Sequence, residues 1–75
     1  MNVSVKIGEW AAGYSQTGEF NLAVPEGATV EDVILMLKLP PEETGLCAVE
    51  GKHVTRGHVL SEGDNVKFFP SIIGG

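Results

Sequence analysis

Apolar and polar residues alternate in two segments near the start of the chain. In NVSVKI (2–7) every second residue is β-branched and apolar, and EFNLAV (19–24) repeats the alternation. This period predicts strands that bury one face. The residues between them (8–18) are rich in glycine and small polar side chains, so they predict a loop that joins the strands into a hairpin. The side chains predicted to point inwards are Val3, Val5, Ile7, Phe20, Leu22 and Val24.

The apolar spacing changes between residues 29 and 39. Four apolar residues recur at the i, i+3, i+4 and i+7 positions of an amphipathic helix, namely Val30, Val33, Ile34 and Leu37. Thr29 is predicted to cap the start of this helix, with Asp32 as its reciprocal partner. Two prolines, beginning at Pro40, cannot continue a helix, so we expect it to end at or before Leu39.

The last third of the chain returns to short strands. LCAVEGKHV (46–54) predicts a strand, a tight turn at Glu50-Gly51 and a short partner strand, and VKFFP (66–70) predicts a final strand. Within this final strand the alternation places Val66 and Phe68 inwards and Lys67 and Phe69 on the opposite face.

The order of these elements predicts the fold. One helix covers only one face of a sheet, and the long crossover allows the first and last strands to pair in parallel. We therefore expect an α+β protein with the β-grasp fold, a mixed four- to five-stranded sheet with one main helix packed on one face. Residues 1–70 are predicted to form one domain, and residues 71–75 a flexible C-terminal tail ending in Gly-Gly.

Charge and composition exclude several classes of function. Ten acidic and five basic side chains give a net charge of −5, which repels phosphate backbones, so we expect no nucleic-acid partner. No stretch approaches the roughly 20 apolar residues that span a bilayer. The first residues also lack the basic and apolar regions of a secretory signal. These features predict a cytoplasmic protein without a membrane partner.

Three side chains could in principle bind zinc: Cys47, His53 and His58. No fourth ligand is evident, so we expect no metal site. Cys47 is interpreted as a small buried side chain beside Val49, with a role in sulfur relay as the alternative. Trp10 and Tyr14 are interpreted as covering the edge of the core, with a binding role for their loop as the alternative.

The sequence given ends on two apolar β-branched residues, Ile72 and Ile73, followed by Gly74 and Gly75. The isoleucines are stiff and water-averse, whereas glycine is the most permissive residue. This pattern predicts a tail that a partner holds. The alternatives are an arbitrary flexible end and isoleucines that pack back onto their own sheet.

The predicted hairpin and capped helix, followed by VEGKHV, LSEGDNVKFFP and a terminal GG, resemble the ubiquitin-like sulfur carriers. That family includes the small subunit of molybdopterin synthase and the thiamine-pathway sulfur carrier. FFP resembles the molybdopterin type, whereas the arginine of VTRGHV resembles the thiamine type, so the pathway stays open. The resemblance covers nearly the whole chain and is most specific over residues 49–75.

The resemblance implies a protein co-substrate and not an autonomous enzyme, although the chain could be the small subunit of a sulfur-transferring synthase. A partner related to ubiquitin-activating enzymes uses ATP to adenylylate Gly75, and a persulfide donor converts it to a thiocarboxylate, with Gly74 allowing passage of the tail. The chain itself binds no cofactor. The implied recipient partner is the molybdopterin synthase large subunit or a thiazole synthase.

The residues expected to bind these partners are Phe69, Pro70, Ile72, Ile73 and His53. The resemblance implies an apolar docking position where this chain carries His53, so we expect weaker or pH-sensitive docking there. Phe69 has a second interpretation, as a core aromatic or a chance exposed side chain. Two other functions stay open: a ubiquitin-like modifier conjugated through Gly75 to lysines, and a β-grasp RNA-binding module, which the negative charge disfavours.

Overall fold

The computed structural model of the chain describes residues 1–71. In this range it forms five strands and one α-helix, which are β1 (Asn2–Ile7), β2 (Gly18–Ala23), α1 (Val30–Met36), β3 (Thr44–Val49), β4 (Lys52–Val54) and β5 (Asn65–Pro70). A short 3-10 turn, Glu9–Ala11, lies in the loop between β1 and β2, where the sequence predicted a loop.

The five strands form one sheet in the order β2-β1-β5-β3-β4. β1 pairs in parallel with β5, and the other neighbouring strands are antiparallel. The parallel pair is possible because β2, α1, β3 and β4 lie in the long connection between its strands. The α+β class, the mixed sheet and the β-grasp arrangement are therefore confirmed.

The core lies between the sheet and α1. Its largest fully buried side chains come from β1, α1 and β5, namely Val3, Val5, Ile7, Val30, Val33, Ile34, Val66 and Phe68. Burying each such side chain stabilises the fold by about 1.5–3 kcal/mol before the entropy of ordering is counted. Phe20 and Leu22 pack against this core but are only partly buried, because β2 is an edge strand with one neighbour.

The start of α1 has the predicted capping box. The Thr29 hydroxyl accepts a hydrogen bond of 3.2 Å from the backbone N–H of Asp32, whose carboxylate accepts one of 2.9 Å from the Thr29 N–H. Two backbone donors that have no partner inside the helix are thereby satisfied.

The helix ends before the prolines, at Met36, in a Schellman arrangement. The N–H of Leu39 donates to the carbonyl of Ile34 and the N–H of Lys38 to that of Leu35, each at 3.1 Å. Lys38 has φ +58°, a left-handed conformation that glycine usually adopts at this position. The chain therefore turns sharply here and enters the segment that leads to β3.

Candidate functional site

The sheet surface opposite α1 is here called the outer face. It carries the side chains that alternate with the core residues along the strands, including Lys6, Glu19, Leu46, Ala48, His53, Lys67 and Phe69. The predicted outward position of Lys67 and Phe69 is confirmed, since both are exposed while Val66 and Phe68 are buried.

Phe69 lies beside an exposed leucine that the sequence analysis did not single out. The ladder pairs Thr44 with Pro70 and Cys47 with Phe68, so two residues of β3 stand opposite Phe69 in a β-bulge. One of these is Leu46, which is 55% exposed, compared with 36% for Phe69. The alternation of Leu46 with buried Cys47 is the signal that could have identified it. Leu46 and Phe69 together form an apolar patch on the outer face.

His53 also lies on the outer face, but its strand β4 is not adjacent to β5, the strand of Phe69. Because β3 separates the two strands, β4 and β5 are two strand spacings apart, about 10 Å. His53 pairs with Ala48, which in turn pairs with Lys67. The exposed His53 therefore stands at the edge of the outer face, in one row with Lys67.

The outer face carries positive charge on a protein whose net charge is −5. Lys6 and Lys67 are direct neighbours across the parallel β1–β5 pair. Glu19 pairs with Lys6 on the other side. The Nζ atom of Lys67 lies 5.1 Å from the centroid of the Phe69 ring. The apolar patch is thus bordered by ammonium groups.

The base of the predicted tail is attached to the start of β3. The N–H of Ser71 donates a 2.9 Å hydrogen bond to the carbonyl of Glu43, and exposed Pro70 pairs with Thr44. The predicted boundary between domain and tail stays a prediction, because only Ser71 of the tail is described. The site residues that lie outside the described range are Ile72, Ile73, Gly74 and Gly75.

The loop between β1 and β2 reaches the base of the predicted tail through Tyr14, which contacts Glu43. Trp10 packs against the core, as one interpretation of the sequence expected. Tyr14 does not cover the core, since it is 45% exposed. Its hydroxyl instead donates a 2.8 Å hydrogen bond to the Glu43 carboxylate, and this bond, with the negative charge of Glu43, raises the pKa of Tyr14.

Cys47 points to the helix side of the sheet and is 3% exposed, which confirms the interpretation as a buried side chain. Burial raises the pKa of its thiol, so it stays protonated at neutral pH. His53 lies on the opposite face of the sheet. Among residues 1–71, no group of three His, Cys, Asp or Glu side chains is placed to bind a metal ion.

No helix in the described part of the chain has the length and apolar character needed to cross a membrane. The outer face and the tail base lie next to each other at the end of β5. Exposed side chains on the outer face include apolar Leu46 and Phe69, cationic Lys6 and Lys67, and anionic Glu19.

Solved structures of three archaeal proteins share this fold. The chain resembles the putative molybdopterin converting factor subunit 1 of Pyrococcus furiosus with a TM-score of 0.78 and 26% identity, covering 96% of this chain and 99% of that one. It resembles SAMP1 of Haloferax volcanii with a TM-score of 0.73 and 19% identity over 100% of both chains. It resembles a ubiquitin-like protein of Caldiarchaeum subterraneum with a TM-score of 0.58 and 20% identity, covering 99% of this chain and 100% of that one.

A comparison with curated proteins finds no match. The comparison with protein families finds a match. The matched residues include β2, the helix, strands β3–β5 and the residues that follow them. Because residues 11–75 match the ThiS family, the chain belongs to the ThiS family.

Proposed function

We propose that the protein is a sulfur carrier whose Gly75 carboxylate is adenylylated and converted to a thiocarboxylate that donates sulfur in cofactor biosynthesis. Membership of the ThiS family over residues 11–75 is the observation that carries this proposal. The chain acts as a protein co-substrate. It binds no cofactor itself, and ATP is used by the activating partner.

The chemistry starts from a poor electrophile, because the charge of a carboxylate repels nucleophiles. An oxygen of the Gly75 carboxylate attacks the α-phosphorus of ATP, and pyrophosphate leaves. The terminal sulfur of a persulfide on a donor protein attacks the acyl carbon, and AMP leaves. A thiol then cleaves the acyl disulfide, forms a disulfide with the donor, and leaves the thiocarboxylate on Gly75.

The two glycines suit these steps for steric reasons. Without Cβ atoms, Gly74 and Gly75 pass through a narrow channel and adopt φ values closed to other residues. A side chain at Gly75 would crowd the carbonyl carbon under attack. No side chain of the described residues needs to act as acid, base or nucleophile in this scheme.

Docking is assigned to the outer face and the tail. Phe69 and Pro70 are exposed at the end of β5, and Leu46 extends the apolar surface. Ile72 and Ile73 add apolar side chains that a partner channel buries, each worth about 1.5–3 kcal/mol when fully enclosed. His53 stands at the edge of the same surface.

The partners follow from the same scheme. They are an adenylyltransferase related to ubiquitin-activating enzymes, a persulfide donor, and a sulfur-accepting synthase subunit. The description of the Pyrococcus furiosus neighbour as a molybdopterin converting factor subunit favours the molybdopterin synthase large subunit. Family membership favours a thiazole synthase equally.

A second candidate is a ubiquitin-like modifier joined through Gly75 to lysines of other proteins. The neighbour from Haloferax volcanii is described as a small archaeal modifier protein, and this observation favours it. Covalent adducts of the amino-terminally tagged chain in lysates of its own cells, lost on deletion of Gly75, would support the modifier.

Intact mass spectrometry tests the carrier. The full chain is incubated with the adenylyltransferase of its own organism, ATP and a persulfide donor, and the untreated sample verifies that Gly75 is the last residue. We expect a mass gain equal to the difference between one sulfur and one oxygen atom. Deletion of Gly75 should abolish the gain and leave the circular dichroism spectrum unchanged. No acyl-adenylate and no mass gain in the wild type would reject the proposal.

A further inference from the structure

The segment between α1 and the middle of β3 contacts the last described residues of the chain. We call residues 40–45 the tail-base loop. We propose that this loop is a positioning device, which sets the direction in which the chain leaves the domain after Ser71, and that Gly45 and Arg56 are its positioning residues. The inference rests on the proposed function, because it concerns how the carboxylate of Gly75 is presented.

Gly45 allows the backbones of β3 and β5 to approach more closely than a side chain permits. A Cβ atom on Gly45 would lie 2.5 Å from the carbonyl oxygen and 2.9 Å from the carbonyl carbon of Pro70, and 3.0 Å from the Cα of Ser71. These neighbours are backbone atoms, so they cannot rotate away as a side chain can. Any larger residue at Gly45 must displace the end of β5.

The Glu43 carbonyl, which accepts the Ser71 N–H, belongs to a turn that several hydrogen bonds close. The N–H groups of Glu43 and Thr44 both donate to the carbonyl of Pro40, at 3.0 and 3.1 Å, and the Thr44 hydroxyl donates to the same oxygen at 3.0 Å. Thr44 is buried. These bonds fix the orientation of the Glu43 carbonyl, which accepts the Ser71 N–H.

Arg56 holds the same loop from outside. Its Nη2 atom donates to the carbonyl of Pro41 at 2.8 Å and also to that of Thr44. The Arg56 carbonyl accepts a 2.9 Å bond from the N–H of Glu31 in the first turn of α1. A planar guanidinium that bonds two carbonyls restricts their relative orientation, which a single flexible ammonium does less well. Arg56 thus connects the helix to the tail-base loop.

Under the proposed function the reacting carboxylate belongs to Gly75, which lies four residues after Ser71. The four residues from Ile72 to Gly75 span at most about 14 Å when fully extended. A change of direction at Ser71 therefore displaces Gly75 unless the backbone torsions of these four residues change to compensate. Because a misplacement of about 1 Å can cost about 100-fold in rate, the geometry at the base affects the reaction at the end.

Gly45→Ala tests the loop, with Gly13→Ala as the matched control, since a Cβ on Gly13 meets no atom within 4 Å. The assay is ATP–pyrophosphate exchange by the adenylyltransferase of the same organism. We expect Gly45→Ala to lower kcat by about 10- to 100-fold with a smaller change in KM, because docking is retained while the carboxylate is misdirected. Gly13→Ala should match the wild type.

Arg56→Met and Arg56→Lys provide a second pair that does not alter the β3–β5 contact. Arg56→Met should lower kcat in the same assay, and Arg56→Lys should restore part of it because the ammonium still donates to a carbonyl. Thermal unfolding of all variants shows whether the domain stays folded at the assay temperature. A purely structural role would lower stability and leave kcat of the folded protein unchanged.

Hydrogen exchange of the Ser71 amide, measured by NMR, tests the bond between Ser71 and the tail-base loop in the absence of any partner. Loss of a hydrogen bond worth about 1 kcal/mol corresponds to about fivefold faster exchange, which we expect in Gly45→Ala and Arg56→Met but not in Gly13→Ala. A wild-type Ser71 amide that exchanges as fast as an unstructured one would overturn the inference, as would unchanged kcat in Gly45→Ala. Failure of the wild type to be adenylylated, with Ser71 protected, would instead reject the proposed function.

Discussion

The Nζ atom of Lys67 lies 5.1 Å from the centroid of the Phe69 ring on the outer face. At an exposed site such a cation–π contact is worth about 0.5–1 kcal/mol, so it holds Lys67 over the ring without excluding a partner. An apolar patch bordered by Lys67 and Lys6 complements an apolar surface with acidic residues at its rim. This relationship connects the fold to the proposed docking surface.

Leu46→Ala is expected to weaken binding to the adenylyltransferase by about tenfold, equivalent to about 1.4 kcal/mol, because Leu46 extends the patch beside Phe69. Leu35→Ala is the matched control, since Leu35 is 59% exposed on α1 compared with 55% for Leu46. Calorimetric titration measures the affinity of each variant. Equal affinities for the two variants would place docking elsewhere.

His53→Leu is expected to tighten docking and to reduce its dependence on pH. Histidine side chains gain a positive charge between about pH 8 and 5, and a charge at the edge of an apolar contact costs desolvation. Affinities of wild type and His53→Leu should be compared across that range. Parallel pH curves for the two proteins would show that His53 does not contribute.

Lys38→Gly is expected to stabilise the domain by about 0.5–1 kcal/mol. Lys38 has φ +58° at the end of α1, a conformation that costs a residue with a Cβ more than it costs glycine. Urea unfolding measures the change in the free energy of unfolding. Lys38→Ala is the control, since it removes the same side chain without relieving the backbone, and a gain of equal size there would refute the explanation.

Cys47 is expected to react with iodoacetamide at neutral pH more than about 100-fold more slowly than the same thiol in the urea-unfolded chain. The side chain is buried and its raised pKa keeps the thiolate scarce, so modification requires opening of the sheet. The control is Ser61→Cys in a Cys47→Ala background, because the side chain at Ser61 is exposed. Equal rates for the two folded proteins would contradict burial of Cys47 in solution.

Tyr14→Phe is expected to lower stability at neutral pH but not above the pKa of the phenol. The Glu43 carboxylate raises the pKa of Tyr14 above its usual value of 10.0, so the neutral phenol is favoured in the folded state. Its stabilising contribution is complete below the unfolded pKa and is lost as the pH rises through the folded one. Urea unfolding of both proteins at several pH values measures the difference.

The titration itself is directly visible, because the chain contains one tyrosine. Tyrosinate absorbance should give a lower pKa for Tyr14 in Glu43→Gln, where an acceptor remains but the charge is removed. An unchanged pKa in that variant would show that Glu43 does not hold the phenol in solution.

Local patterns accounted for the elements and the faces of the fold. Alternation placed Val5 and Phe68 inwards, and the capping residue Thr29 marked the start of α1, because strand and helix periods depend only on nearby residues. The Gly-Gly pair at positions 74 and 75 was also visible without coordinates, as was the family resemblance that the match over residues 11–75 confirms.

Other features arise from pairing between segments distant in the chain, and residue spacing contains no information about their register. The bulge that brings Leu46 beside Phe69, and the close approach of Gly45 to Pro70, exist only once β3 and β5 are aligned. The bonds of Arg56 to the tail-base loop, and of Tyr14 to Glu43, likewise require side chains to reach across the assembled domain. Contacts of this kind depend on the packing of the core as a whole, and only the tertiary structure decides them.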